Sequence, residues 1–566
     1  MIVSFFWSCQ TMLDFILGTN LNTAAFKDRI VETHHLNNGF RLHVVGDGSR
    51  KPQILRTENY TSAVFGTVFY KGESETRRSH EVLAADLFNS SVEEDELIGE
   101  FTLVVAGDEH VWVLTDWIGL YPCYSVAGTD IVSSSFVLAA GAEGRPKLVP
   151  QCLYEYVFQG AWYGAQTLID NVVRLRPDVV HDIGSGKVKR RDVPMSVQPA
   201  ANSSIQYHAD RICHELDRSF EAIGAAFDGR VESAISGGFD SRLILAMLER
   251  HVQQFTLHVY GRSSDVDVLI AKEIAEALNR ELVHLDKASP GLNTDRSLEQ
   301  ILENYIAMDG CPTDGIFDDG GDLWTRRRAM ADGKLLLNGG GGEIFRNFFY
   351  LPRWTKSLGD VVASFYHQFD ISACTNRFNY RDYCNHLSEK LTLETSVLLG
   401  SPRQRVESAY PLFRCRYWTS RNSAINHRLG NYMTPLVTHN TVRLALEVPL
   451  ALKNDGKLEA AMISGLNPRL GLLRLDCGYA PANQAPLAVR LRNASNIWRP
   501  TSLRKRSFWL KSRFRQPVLP SWQNLYGACL SNGFTITSEY LDPAKITSLE
   551  QLNRLASAEF LLQRHI

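Results

Sequence analysis

Three kinds of hydrophobic patterning follow one another along the chain. Residues 41–45, 63–70, 101–105, 111–114 and 131–132 are short apolar or alternating runs separated by polar turns, the signature of a largely antiparallel sheet. The apolar residues 2–7 read as a first strand of the same unit. From residue 230 the pattern changes. Runs at 230–235, 254–260 and 281–286 read as buried strands, and between the last two Val266, Leu269, Ile270, Ile274, Ala277 and Leu278 recur at helical spacing. Strand, helix, strand, helix, strand predicts a parallel sheet with right-handed crossovers. Residues 334–337 form a further short apolar run, and the last third is mostly helical in pattern. The expected fold is α/β and α+β in two domains, 1–195 and 196–566.

Composition narrows the setting. A chain of 566 residues with 44% hydrophobic and 22% charged residues is an ordinary globular protein of two or three domains. A formal net charge of −2 gives no whole-chain argument for a nucleic-acid or membrane partner, and neither is expected. The ten cysteines include no C-x-x-C pair, so neither a zinc site nor a disulfide framework is indicated. Reduced thiols fit a cytoplasmic protein. The start of the chain has no positive region before its apolar residues and no small-residue cleavage site, and no apolar run reaches the roughly 18–20 residues that span a bilayer.

The chemistry concentrates at Ser236-Gly237-Gly238-Phe239-Asp240-Ser241, between the 230–235 run and a helical pattern that starts at Arg242. Backbone N–H groups of such a turn, at a helix N-terminus, cradle phosphate, and glycines let the backbone approach the anion. Ser236 and Ser241 supply hydroxyls, and Asp240 stands where a carboxylate can hold Mg²⁺ on the same phosphates. The loop resembles the SGGxDS pyrophosphate loop of the ATP pyrophosphatases. With the strand–helix succession after it, the chain resembles the synthetase half of asparagine synthetase-like enzymes. The resemblance implies a C-terminal ATP-pyrophosphatase (HUP-like) parallel sheet with a helical C-terminal part. It further implies ATP and Mg²⁺ as cofactors and an adenosine site at the turn of Tyr260 and Gly261.

Residues 338–347 carry four consecutive glycines, Gly339, Gly340, Gly341 and Gly342, before Glu343-Ile344-Phe345. Such a run suggests close approach to a bulky ligand. The segment looks like the family's G-E-G-S-D-E-[VI]-F element, whose Asp joins the loop Asp on Mg²⁺. Anchored on Ile344-Phe345, that Asp position is Gly342 here. Glu343 then has two readings, a substitute metal ligand or a helix-start carboxylate facing the macrodipole.

Further stretches resemble the same family's N-terminal domain: Leu97-Ile-Gly99-Glu-Phe101, the run from Asp116 to Pro122, and residues 130–135. The resemblance implies an N-terminal-nucleophile (Ntn) hydrolase-like sandwich. Glutamine-using members carry a Cys directly after the initiator Met; residue 2 here is Ile, and Cys9 is the nearest cysteine. The glutaminase reaction is expected to be absent, the domain a retained scaffold and Cys9 a structural thiol.

Without its own ammonia source, the expected nucleophile is an amine carried by the substrate. The resemblance then points to macrolactam closure of a ribosomal (lasso) peptide through an acyl-adenylate, with a free-N-terminus peptide as substrate and a leader peptidase as partner. Amidation of a small acid or uronic sugar is the alternative; a non-catalytic nucleotide-binding paralogue is another. The family's catalytic Lys has no match in residues 473–479, which offer Arg474 instead; Lys453 and Lys457 nearby read as solvated. Tyr410, Phe413, Tyr417 and Trp418 with Arg414, Arg416 and Arg421 suit a substrate cleft or a core equally. The basic, aromatic-interleaved residues 499–515 suit a solvated face or contact with a protein or peptide better than nucleic acid.

Overall fold

The structure is a computed structural model, and it describes residues 12–565 except 25, 143–146, 192–194, 198–202, 287–295, 318–322, 368, 370, 505 and 507–515. Ile2, Cys9 and the strand expected at 2–7 lie outside the described residues.

The N-terminal third holds two six-stranded antiparallel sheets. One runs Val172–Arg174, Tyr124–Val126, Val132–Ser133, Leu13–Gly18, Arg41–Gly46, Ile30–His35; the other runs Lys187–Arg190, Val179–Asp182, Val111–Thr115, Leu97–Ala106, Thr61–Tyr70, Gln53–Arg56. Alternation along Thr61–Tyr70 explains the layering. Ala63 and Phe65 face the first sheet and share a core with Phe15, Leu42 and Val44; Val64 and Val68 face the helix Thr76–Phe88 through Leu83, Ala84 and Leu87. The outer face of the first sheet is covered by the helices Phe136–Ala140 and Pro150–Gln159. The run that starts at Asp116 is a turn cap. Asp116 accepts hydrogen bonds from the N–H groups of Gly119, Leu120 and Tyr121 at 2.7–2.9 Å, and Gly119 takes φ +81°, where a side chain would be strained.

The middle of the chain forms a five-stranded, wholly parallel sheet in the order Leu282–Leu285, Thr256–Tyr260, Val231–Ala234, Leu335–Leu337, Asn431–Met433. The first three strands in sequence proceed to one side of Val231–Ala234, and the last two return to its other side. The reversal falls between Val231–Ala234 and Leu335–Leu337, the position where open α/β sheets leave a crevice beyond their carboxyl ends. The loops that leave these two strands are the Ser236 loop and the glycine run.

The expected boundary at 195/196 lies within the short strand Met195–Ser196, which pairs in parallel with Leu398–Leu399. One continuous hydrophobic core extends from Ile16 to Leu562 across that position. Buried charges stitch the same seam. Arg428 binds Asp14 at 2.7 Å and Asp309 at 2.9 Å. Glu100 accepts from the Thr434 N–H and pairs with His427 at 2.8 Å. Among the described residues no helix is long and apolar enough to cross a membrane.

Arg428→Met would leave Asp14 and Asp309 without their cation. Breaking a buried pair from one side costs about 3–5 kcal/mol, so the urea midpoint of Arg428→Met at pH 7 is expected to fall well below that of the wild type. An unchanged midpoint would show that these pairs contribute nothing net.

Candidate nucleotide-binding site

Val231–Ala234 feeds the loop, and Phe239–His251 is the helix that starts at Gly238 without a side-chain cap. An uncapped start leaves N–H groups to be satisfied from outside the helix. Within the loop, the Ser236 and Ser241 hydroxyls lie 2.9 Å apart, and Ser241 Oγ also accepts from the Ser236 N–H at 3.1 Å. The two serines therefore fix the loop's shape. The Gly237 N–H donates to Asp267 at 2.7 Å, and the Gly237 carbonyl accepts from the Asp476 N–H at 3.0 Å. Gly237 is a packing glycine: a Cβ there would meet Asp476 Cβ at 2.9 Å and Ile270 Cδ1 at 3.0 Å. Gly238 is different. Its nearest neighbour to an added Cβ is Ser236 Oγ at 3.5 Å, so the space beside it is open.

The glycine run follows Leu335–Leu337 directly, and close approach explains it, but the approaching groups belong to the protein. A Cβ at Gly342 would lie 2.1 Å from Asp240 Oδ1; at Gly341, 1.9 Å from Val437 Cγ2; at Gly339, 3.1 Å from the Asp240 backbone; at Gly340, 2.9 Å from Asn338 Oδ1. The run lets this loop lie against the first turn of the Phe239–His251 helix. It does not by itself require the bulky ligand expected from the sequence. Tyr260 and Gly261 sit at the carboxyl end of Thr256–Tyr260, as expected for a ligand-facing turn. The Gly261 carbonyl bonds to His284 Nε2 at 2.8 Å.

Glu343 is the second residue of a four-residue 3₁₀ turn, Gly342–Phe345, rather than of an α-helix. The macrodipole reading therefore fails for want of a helix. Its carboxylate accepts from the Tyr410 hydroxyl and lies 4.0 Å from Arg346. Arg346 is the centre of the constellation. It binds Asp240 Oδ2 at 2.5 Å through Nη2 and Glu459 Oε2 at 3.1 Å through Nε. Glu459 is wholly buried on the helix Lys457–Leu466. Burial pushes its carboxyl well above the usual carboxylate range, against the pull of Arg346 and with the Asp240 charge acting in the same direction as burial. The same charges hold Arg346 firmly protonated against its own burial. Asp240 Oδ1 and both Glu459 oxygens have no hydrogen-bond partner.

Neither Arg346 nor Glu459 is evident from motif reading. Glu459 does leave a trace in the pattern: it lies on the same helix stripe as the buried Met462 and Ile463, a charge on an apolar face. Arg346 leaves none beyond its position three residues after Glu343.

Asp240, Glu343 and Glu459 thus gather around one guanidinium, with the Asp240 and Glu459 carboxyls also facing each other. Among the described residues no three His, Cys, Asp or Glu side chains form a metal cage. As arranged, the residues do not fit a protein-bound Mg²⁺, and the expected metal roles of Asp240 and Glu343 are not supported by this geometry.

Arg474 is not in the constellation. Its guanidinium forms an exposed pair with Glu273 at 2.6 Å, while its carbonyl is held by the buried Arg242 at 2.7 Å. Arg242 also binds the carbonyls of Leu470 and Leu473. Lys453 is a correction of the opposite kind. Expected in solvent, its side chain is 1% exposed and bonds Glu407 at 2.7 Å. Lys457 is exposed as expected.

A shallow cleft of about 380 Å³, open solvent included, lies beside Arg346, lined by Glu343, Arg346, Phe349, Arg403, Glu407 and Tyr410 among others. Of the aromatic cluster only Tyr410 reaches it. Phe413 and Tyr417 are core, on the π-helix Tyr410–Thr419, and Arg414 stacks on Trp418 at 3.6 Å. Arg416 is spent on Glu394 and on the Trp117 and Ile118 carbonyls, and Arg421 on the Cys311 carbonyl and the Trp162 ring. The basic segment meets the cleft wall: Arg504 donates to the carbonyls of Phe349 and Tyr350. Before it, the helix Leu487–Trp498 buries no residue, and Trp498 is 66% exposed beside Trp354. Most of 505–515 lies outside the described residues.

No family model and no curated protein matches this chain. Among solved structures it is similar to one titled the structure of the allosteric regulatory enzyme of purine biosynthesis, at 11% identity, over 50% of this chain and 75% of that one, with a TM-score of 0.20. At that score the likeness carries no conclusion about fold or function.

The glycines separate packing from ligand contact. Gly342→Ala forces atoms apart and is expected to cost about 1–3 kcal/mol of stability. Gly238→Ala has room, so it is expected to keep the wild-type melting temperature and weaken ATP binding about tenfold. Calorimetric melting and ATP titration of both variants check this; full ATP affinity in Gly238→Ala would remove Gly238 from the ligand site.

The raised carboxyl of Glu459 sets a pH trend. A group whose native pKa is raised stabilises the fold fully below its unfolded value, and that contribution is lost as pH rises through the native value. Glu459→Gln, fixed in a neutral form, is expected to gain in melting temperature over the wild type as pH rises from 5 to 9. A difference that stays flat or reverses would place an ionised Glu459 in the native state.

Proposed function

We propose that the chain is an ATP-dependent ligase that joins a carboxylate to an amine through an acyl-adenylate. The observation that carries this reading is the Ser236–Ser241 loop, at the carboxyl end of the strand where the parallel sheet reverses its order, faced by the glycine loop of the neighbouring strand. The carboxylate oxygen attacks the α-phosphorus of ATP and pyrophosphate leaves. The amine then attacks the acyl carbon, AMP leaves, and the amine's proton is lost to a base.

The specific reaction we favour is macrolactam closure of a ribosomal peptide, between its free N-terminus and an Asp or Glu side chain. Holding both ends of one chain in a single cleft turns a bimolecular encounter into an intramolecular one. The cleft beside Arg346 is lined by Phe348, Phe349 and Tyr410 together with Arg403, and Arg504 binds the Phe349 carbonyl at its wall, which suits a peptide better than a small acid. A leader peptidase would supply the free N-terminus.

A second reading has its own support. Arg346 among the three carboxylates is an arrangement that a non-catalytic nucleotide-binding paralogue would tolerate.

With ATP, a precursor peptide and its peptidase, the expected products are AMP, pyrophosphate and a peptide lighter by one water, read by mass spectrometry. Asp240→Asn is expected to slow pyrophosphate release about 10²-fold. AMP release driven by a small acid and ammonia, with no cyclised peptide, would replace the macrolactam reading with simple amidation. Tight ATP binding without AMP across the substrates would favour the paralogue.

A further inference from the structure

A divalent ion at the Ser236 loop would have to reach Asp240, and three features close that route. The first is occupancy. Arg346 Nη2 lies 2.5 Å from Asp240 Oδ2, so the oxygen that would face a metal already faces a cation. A guanidinium and a divalent ion a few ångströms apart repel strongly in a partly buried site, which makes the two mutually exclusive. The second is what Arg346 would leave behind. Its Nε is 3.1 Å from Glu459 Oε2, and the Glu459 side chain is 0% exposed. Withdrawing the arginine would leave the buried Glu459 carboxyl without the donor that stands 3.1 Å away, and water has no access there to replace it. The third is room. Mg²⁺ demands near-octahedral coordination and keeps several waters. On the side of Asp240 Oδ1 the Gly342 backbone is so close that a single added carbon would lie at 2.1 Å. Gly342 is also the position at which the sequence lacks a second acidic ligand.

We propose that Arg346 is the permanent counter-ion of Asp240, standing in place of a protein-bound divalent cation, and that its cleft-facing edge meets the phosphates of a nucleoside polyphosphate directly. The guanidinium is suited to this. Its side chain is 31% exposed and lines the cleft that Tyr410 and Glu343 also border, while its other edge is anchored by Asp240 and Glu459. A guanidinium held by carboxylates on one edge presents its remaining donors in a fixed plane, a geometry matched to phosphate oxygens. Glu343 is kept from competing by the Tyr410 hydroxyl that donates to it, and it stays 4.0 Å from Arg346. Magnesium that arrives on ATP then travels with the nucleotide and is not held by the protein. The phosphate half of this inference rests on the ligase reading; the counter-ion half does not.

Two measurements on the full chain test it. Mn²⁺ alone, followed by electron paramagnetic resonance, is expected to find no stoichiometric site below about 1 mM in the wild type. Arg346→Ala is expected to gain one, since it frees the carboxylates, and Arg346→Lys to gain none. A stoichiometric Mn²⁺ site in the wild type overturns the proposal, and that result stands even if Arg346→Ala fails to fold. The second measurement is calorimetric titration with inorganic pyrophosphate, in EDTA and in Mg²⁺. Affinities within about threefold of each other, and a loss of about tenfold or more in Arg346→Lys, support direct contact with the phosphates. Binding that vanishes in EDTA overturns that contact. If neither ATP nor pyrophosphate binds under any condition, the ligase reading fails together with the phosphate contact, and the Mn²⁺ result still decides whether Arg346 is the counter-ion.

Discussion

Burying Glu459 without solvent obliges the chain to give its carboxyl a partner from within the protein, and much of the site follows from how that obligation is met. The partner is Arg346, supplied from the loop after Leu335–Leu337, and its second contact is Asp240 on the neighbouring loop. One side chain thus binds the helix Lys457–Leu466, the first turn of Phe239–His251 and the glycine run into a single unit. The glycine run serves this arrangement. Each of its close contacts is to protein, and the one at Gly342 is to the Asp240 carboxylate that Arg346 holds.

The same device recurs along the seam between the N-terminal sheets and the rest of the chain. Arg416 reaches the carbonyls of Trp117 and Ile118, Arg428 reaches Asp14, and Arg174 reaches the Gly119 carbonyl and Ser420. A planar guanidinium with five donors satisfies several buried acceptors at once, which a lysine cannot do. Isolated buried ion pairs are poor sources of stability, because desolvation offsets the attraction. Arg416 and Arg174 also satisfy backbone carbonyls that would otherwise be buried without partners.

Hydrophobic periodicity carries most of the sheet architecture. The runs at 41–45, 63–70, 111–114, 254–260 and 281–286 are all strands, and the helix after Gly261 spans Val266–Leu278. What periodicity misses is wholly buried or wholly polar. Leu13–Gly18 is covered on both faces and so shows no alternation, and Lys187–Arg190 is an exposed edge with no apolar residue on one side to mark it. The Ser236 loop was legible because its glycines and serines have local geometric jobs. Arg346, Glu459 and the burial of Lys453 were not, because each is decided by a partner some 46 to 113 residues away in sequence. Arg474 shows the reverse error. Proximity in sequence to the family's lysine position suggested a catalytic charge, and a glutamate on the adjacent helix holds it in solvent instead.

The anchoring of residues 470–476 makes the Ser236 loop and the start of the C-terminal segment one mechanical body. Arg242 grips the carbonyls of Leu470, Leu473 and Arg474 from within the helix that the loop begins, and the Asp476 N–H closes onto Gly237 from the other side. Displacing the loop while leaving that segment in place would break all of these bonds. The chain leaves this clamp only eleven residues before Leu487–Trp498, a helix that contributes nothing to the core. A ligand that tightens the loop therefore pulls on the tether of a helix outside the core, and the surface that displays Leu487, Leu491 and Trp498 is coupled to the Ser236 loop both by covalent chain and by the hydrogen bond from Asn493 to Asp455, beside the Gly456 that packs on Phe239.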